Sequence, residues 1–238
     1  MTYSTPNREL KLIRAGLIDF NEAWQLQEKL FAEIVEIKLA NRHKEVPLPV
    51  PNYLILCEHP PVFTLGKSGT SDNLLLDEQG LNEVGAGFYR INRGGDITHH
   101  GPGQLVVYPL LDLENFFTDI HLYLRTLEEI VIKTLADFGL SGGRYPGYTG
   151  VWLEPDGKNA RKICAMGVKC GRWVTMHGLA LNVANDLSYF NHIIPCGIKE
   201  KSVTSMAAEL SWKAPTIETV SECLLTHFAA TFNASIGQ

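Results

Sequence analysis

Four segments of the 238-residue chain carry residue types capable of chemistry. In Pro195-Cys196-Gly197 the thiol lies between a residue that fixes the backbone and one that frees it, which predicts a rigid turn and not a core element. A reactive thiol needs such a setting and a structural one does not, so on this context alone Cys196 is either a nucleophile or a bystander. Lys162 enters the apolar run Ile163-Cys164-Ala165-Met166-Gly167-Val168. Partial desolvation there makes an ammonium easier to deprotonate, although a lysine at a strand end facing water is the commoner arrangement. Arg93-Gly94-Gly95-Asp96-Ile97-Thr98-His99-His100-Gly101-Pro102-Gly103-Gln104 has four glycines and a proline in twelve residues. It is a constrained loop whose backbone can approach a ligand, with Arg93 able to hold a phosphate or polarise a carbonyl; taken alone, it is as readily a tight structural turn. It matches neither the Walker loop nor the dinucleotide fingerprint, and no helix follows it. Finally, His177-Gly178-Leu179-Ala180-Leu181-Asn182-Val183 alternates small residues. That pattern leaves either a narrow apolar slot suited to an unbranched acyl chain or a face packed closely against a helix.

Composition is that of a globular protein, 45% hydrophobic and 20% charged, with length for one large domain. A net charge of −5 argues against general nucleic-acid binding. Apolar runs such as Leu105 to Leu113 are short and interrupted, so no membrane span is expected, and Met1 to Glu9 lacks the pattern of a signal peptide. These features predict a soluble cytoplasmic protein. Five cysteines (Cys57, Cys164, Cys170, Cys196, Cys223) contain no CxxC pair, so free thiols are expected. Only the adjacent His99 and His100 are read as having ligand spacing, so no metal or organic cofactor is expected.

The elements that must position these residues follow from periodicity. Asp19-x-x-Glu22 opens a helix running to about His43, and a second spans about Asp119 to Phe138, stopped by Gly139. A third runs from near Thr216 to about Phe232. Strands are expected at Tyr53–Glu58, Val62–Leu65, Tyr89–Asn92 and Gln104–Asp112, the last buried, with residues 67–88 as loop. Tyr148–Leu153, Lys162–Lys169 and Trp173–Val183 predict an antiparallel meander. The whole reads as one α+β domain over residues 1–238, a mixed or antiparallel sheet with flanking helices.

Together, the four segments, with Glu58-His59-Pro60-Pro61-Val62-Phe63-Thr64 and Trp173 with Thr175, resemble the lipoyl(octanoyl) transferase family over about 150 residues. Cys164 and Met166 depart slightly from the family's pattern and are expected to narrow the slot. The resemblance implies the fold of the biotin/lipoate protein ligase catalytic domain. It implies Cys196 as acyl-thioester nucleophile and Lys162 as its acid/base partner. It lines the acyl pocket with Arg93, Gly94, Gly95, Asp96, Ile97, Thr98, His99 and His100, with Ala165, Met166 and Gly167, and with Gly178, Leu179 and Ala180. The implied donor is octanoyl-acyl carrier protein. The implied acceptors are lipoyl domains of 2-oxoacid dehydrogenase E2 subunits and the glycine cleavage H protein. Rival readings are an ATP-dependent lipoate- or biotin-protein ligase, which needs no thiol, and a non-catalytic module that binds carrier or lipoyl domains. A thiol protease is the weakest, since no histidine is clearly paired with Cys196.

Overall fold

The computed structural model describes residues 6–194, 202–211, 213 and 215–237. In chain order the first half comprises β1 (Glu9–Leu17), α1 (Phe20–Asn41), β2 (Asn52–Glu58), β3 (Val62–Leu65), α2 (Glu78–Glu83), β4 (Gly87–Arg90), β5 (Ile97–His100), β6 (Gln104–Leu110) and α3 (Ile120–Asp137). There follow β7 (Gly142–Gly143), β8 (Val151–Leu153), β9 (Arg161–Gly171), β10 (Val174–Asn182), β11 (Ser202–Val203), α4 (Met206–Glu209), α5 (Ile217–Phe232) and β12 (Ser235–Gly237). Among the described residues the strands form a mixed main sheet ordered β12-β1-β2-β6-β10-β9-β8-β7, with β11 beside β9, and a small sheet β4-β3-β5.

Alternation along the central strands explains why helices cover both faces. Tyr53, Ile55, Cys57, Val106, Tyr108, Val174 and Met176 point one way, onto Ala23, Leu30 and Ile34 of α1. Leu54, Leu56, Leu105, Val107, Leu179 and Leu181 point the other way, onto Tyr123, Leu127, Ile130 and Val131 of α3 and Val220, Leu224 and Phe228 of α5. Strand β6 is therefore buried throughout, as its nearly continuous apolar run predicts. The three long helices begin where the sequence places them. Asp19 accepts from the Asn21 and Glu22 N–H groups, Asp119 from those of His121 and Leu122, and the Thr216 hydroxyl from that of Thr219.

The expected meander is present, with β8, β9 and β10 pairing antiparallel. Its first strand is shorter than expected, Val151–Leu153, because Gly147 and Gly150 adopt positive φ (82° and 116°). Two other expectations are corrected. Residues 67–88 are not all loop, since Asp77 caps the short helix α2 through the Gly80 N–H. The glycine-rich segment contains strand β5. Strand β1 is not evident from pattern: it lies between β12 and β2, carries Glu9, Lys11 and Arg14, and exposes most of its length.

Two buried polar groups tie the layers together. Glu128 of α3 is fully buried and accepts from Arg125 (2.8 Å), Arg144 (3.0 Å) and the Gly150 N–H (3.0 Å), which fixes residues 144–150 against the helix. Above α1 lies a group of histidines. The Tyr108 hydroxyl donates to His59 Nε2 (2.8 Å), while His59 Nδ1 donates to the Ile18 carbonyl (2.8 Å). His100 Nδ1 donates to Gln104 Oε1 (2.8 Å), and Phe20 stacks on the His100 ring. Burial lowers the pKa of His59 and His100, of His99 to about 4 and of His177 to about 3.

Two outcomes are expected. Glu128→Gln removes the charge and turns an acceptor into a donor, so urea unfolding should show a loss of roughly 1–3 kcal/mol, moderated by the partial exposure of both arginines. The unfolded chain takes up protons on these four histidines near pH 6.5, whereas the folded protein resists them. Their contribution is complete above about pH 6.5 and is lost as pH falls towards 4 and 3, the folded values of His99 and His177. Chemical denaturation at pH values from about 7.5 down to about 4.5, which covers the upper part of that window, should show a progressive fall in stability.

Candidate acyl-binding site

Strands β9 and β10 run antiparallel with Ala165 opposite Ala180 and Gly167 opposite Gly178. Small residues at these positions leave space above the sheet, and a cavity of about 430 Å³ occupies it. That is within the range of small-molecule pockets, about 300–1,000 Å³. The cavity extends along β9 from Lys162 to Val168, a run of roughly 20 Å at 3.3 Å per residue. Its lining is mostly apolar, including Phe20, Ile91, Ile97, Ile120, Leu124, Met166, Leu179 and Phe190.

The glycine-rich loop closes one side. Its carbonyls are zipped to the segment after β3: Lys67, Ser68 and Gly66 donate backbone N–H groups to Arg93, Gly95 and Asp96. The Gly94 N–H donates to the Val168 carbonyl (2.9 Å), drawing the loop onto β9. The approach leaves no room for a side chain, since a Cβ on Gly167 would lie 2.6 Å from the Gly94 carbonyl oxygen and 3.0 Å from Arg93 Cδ. Arg93 is 7% exposed and donates to the Thr64 carbonyl (2.6 Å), the Thr64 hydroxyl (3.0 Å) and the Gly94 carbonyl (3.1 Å). It braces the loop from inside while still lining the slot.

Lys162 sits at the other end. The β8–β9 register shifts between Val151, opposite Cys164, and Trp152, opposite Lys162, so Ile163 is an extra residue on β9. This bulge lets Ile163 and Cys164 both enter the core under α3, whereas regular alternation would send them to opposite faces. Lys162 is thereby re-aimed into the slot. Its Nζ lies 4.9 Å from the centre of the Trp152 ring, which packs against Tyr145 and Tyr148. Gly150 faces the lysine, and a Cβ there would fall 2.4 Å from the Cys164 carbonyl.

Cys196 lies outside the described residues, but the chain on each side of it is well anchored. Before it, Ile193 bridges to Leu74, the Ile194 N–H donates to the Asn73 carbonyl (2.8 Å), and Asn73 Nδ2 donates to Asp96 of the slot (2.7 Å). After it, Ser202 and Val203 pair with Arg161 and Lys162, and the Thr204 N–H donates to the Lys162 carbonyl (2.9 Å). Gln104 Nε2 donates to Asn182 Oδ1 (2.8 Å) and Asn182 Nδ2 to the Thr204 carbonyl (2.9 Å), so the amide chain begun at His100 ends beside Lys162.

Of the residues expected at the pocket, Arg93, Gly94, Gly95, Asp96, Ile97, Thr98, His100, Lys162, Ala165, Met166, Gly167, Gly178, Leu179 and Ala180 line the one cavity. His99 does not: alternation in β5 turns it onto Phe63 and Tyr189, whose ring stacks on it at 4.5 Å. Cys164 likewise belongs to the core, and Met166 alone of the two departures faces the slot. Pattern reading missed Ile91 and Tyr108, which lie just outside the glycine-rich segment, and Phe20, Ile120, Leu124 and residues 147–149, which come from elements far from the motifs in sequence. It also passed over His177 as a lining residue; its φ of +60° inside a strand is held by the Gln27 side chain on its N–H and by Asn92 on its ring. Among the described residues one trio of metal-type donors occurs, Asp137, Cys223 and His227, and none of the three lines the slot.

A family described as the lipoyl protein ligase A/B catalytic domain matches residues 19–229. The octanoyltransferase of Christiangramia forsetii is 56% identical over 230 residues, spanning 97% of this chain and 98% of that one. The octanoyltransferase of Flavobacterium johnsoniae is also 56% identical, over 97% and 99%. Among solved structures, LipL1 of P. falciparum in complex with lipoate superposes with a TM-score of 0.71 at 14% identity, covering 96% of this chain and 66% of that one. A bipartite lipoate protein ligase from Thermoplasma acidophilum gives 0.65 at 17%, covering 98% and 86%. The match over residues 19–229 and the full-length relatives agree: the chain belongs to the lipoyl protein ligase A/B catalytic-domain family.

Proposed function

We propose that the protein is an octanoyltransferase of protein lipoylation, acting as one catalytic domain. In this reading it takes an octanoyl group from acyl carrier protein onto Cys196 and passes it to a lysine of a lipoyl domain, on 2-oxoacid dehydrogenase E2 subunits or glycine cleavage H protein. The observation that carries the reading is the long, largely apolar slot with a lysine at its end and the flanks of residues 195–201 anchored around it. Relatives more than 50% identical over nearly the full chain bear the same activity in their names. Free thiols at Cys57, Cys164, Cys170 and Cys223 suit a reducing cytoplasm, and no described helix is long and apolar enough to cross a membrane.

The chemistry follows from proton accounting. The Cys196 thiolate attacks the donor's thioester carbonyl, the pantetheine sulfur leaves, and the Lys162 ammonium supplies its proton. A cysteine thiol titrates ordinarily near 8.5, and a neighbouring ammonium lowers that value. The octanoyl chain, now a thioester on Cys196, lies along β9 and β10, where apolar walls exclude water. Neutral Lys162 then takes a proton from the incoming substrate lysine, whose nitrogen attacks the thioester carbonyl. The amide forms and the Cys196 thiolate is released. Exchange between thioesters is nearly balanced in energy and amide formation is downhill, so the second half drives the first.

Intact-mass measurement after mixing with octanoyl-carrier protein should show a gain of one octanoyl group without ATP, absent in Cys196→Ala; unimpaired turnover by Cys196→Ala would refute the thioester route. Lys162→Met should lower kcat/KM by roughly 10²–10⁴-fold, the usual contribution of a positioned acid/base. Gly167→Val should push the glycine-rich loop off β9 and abolish transfer while the fold, checked by circular dichroism, persists.

A further inference from the structure

Asp137 ends helix α3, and Cys223 and His227 stand one turn apart on α5. The Cys223 thiol donates to Asp137 Oδ2 (3.0 Å), and His227 Nε2 lies 2.7 Å from the same oxygen. One donor atom from each of the three residues falls within 4.8 Å of the others. Cys223-x-x-x-His227 is thus also a pair at ligand spacing, which corrects the expectation that His99 and His100 alone have it.

We propose that Asp137, Cys223 and His227 bind a zinc ion that clamps α3 to α5. Thiolate, imidazole and carboxylate are the zinc donor set, and one thiolate with one carboxylate balances the charge of Zn²⁺, the thiol proton leaving to solvent. From zinc bond lengths of about 2.3 Å to sulfur and 2.0–2.2 Å to nitrogen and oxygen, tetrahedral sulfur–oxygen and nitrogen–oxygen edges are about 3.6 and 3.4 Å. The edges from Cys223 and His227 to Asp137 Oδ2 need to widen by about 0.6 and 0.7 Å to admit the ion, within the reach of side-chain rotation. The side chains of His227 and Asp137 are 23% and 54% exposed, which leaves the fourth position open to water. The setting also favours a cation on its own. The C-terminal end of α3 carries the negative end of the helix dipole, Asp137 adds a full negative charge, and the last turn contains no basic residue.

The clamp is remote from the acyl slot. Leu124 of α3 lines the slot, and Asp137 lies thirteen residues further along the same helix, about 20 Å away. The ion would therefore act on stability: it joins residues 86 and 90 positions apart across the helix pair that covers one face of the sheet.

The test uses the metal-stripped full chain and Co²⁺ as the spectroscopic probe for zinc. One equivalent should bind, with a thiolate-to-cobalt charge-transfer band that competing Zn²⁺ removes. Cys223→Ser should abolish the band, and His227→Ala and Asp137→Asn should each weaken binding by tenfold or more. Zn²⁺ should raise the Tm of the wild-type protein and leave that of Cys223→Ser unchanged, as ligand linkage requires. Octanoyl transfer by metal-free Cys223→Ser should equal that of the metal-free wild type. Absence of stoichiometric binding, or a band that survives Cys223→Ser and disappears in Cys170→Ser or Cys196→Ala, would overturn the assignment. The cobalt-band and Tm readouts do not depend on acyl transfer, so this proposal and the enzymatic one fail separately.

Discussion

The site depends on one interruption in strand pairing. Strand β9 must contribute Ile163 and Cys164 to the core beneath α3 and also present Lys162 to the slot, and a two-residue repeat cannot do both. The extra residue at the Val151/Trp152 step resolves the conflict by rotating the strand locally. The rest of the neighbourhood is arranged around that rotation. Gly150 gives up its side chain so that its backbone can pass the Cys164 carbonyl, Glu128 holds Gly150, and β11 takes up the edge of β9 that β10 has left.

Much of this was legible in the sequence where periodicity and caps agree. The long helices and the buried β6 follow from apolar spacing and from Asp19, Asp119 and Thr216 at the helix starts. The glycine-rich stretch, Lys162 and the small residues of β9 and β10 stand out by residue type and spacing, and nearly all of them line one cavity. What stayed hidden is of two kinds. Strand β1 is stabilised by its neighbours and not by its own pattern, since a parallel strand carrying Glu9, Lys11 and Arg14 shows little alternation. The facing of His99 depended on β5 being a strand, and four residues amid glycines do not display a period.

Long-range partnerships were beyond the reach of pattern altogether. Glu128 reads as a surface charge on an amphipathic helix, yet it is fully buried because Arg125, Arg144 and the Gly150 N–H converge on it. The path from His100 through Gln104 and Asn182 to Thr204 likewise joins segments distant in sequence. These polar links connect the loop-bearing small sheet to the lysine end of the slot, and they hold both walls in a single frame.

The contact between the glycine-rich loop and β9 has a consequence for how selectivity could change. There the two walls meet through peptide atoms, Gly94 N–H on the Val168 carbonyl and Gly167 against the Gly94 oxygen, with no side chain between them. The gauge of the channel at that point is set by main-chain geometry that ordinary substitution cannot retune. Variation in the shape of the channel must instead come from side chains that line it elsewhere, such as Phe20, Ile91 and Met166, so its gauge is frozen at one point while the rest stays open to drift.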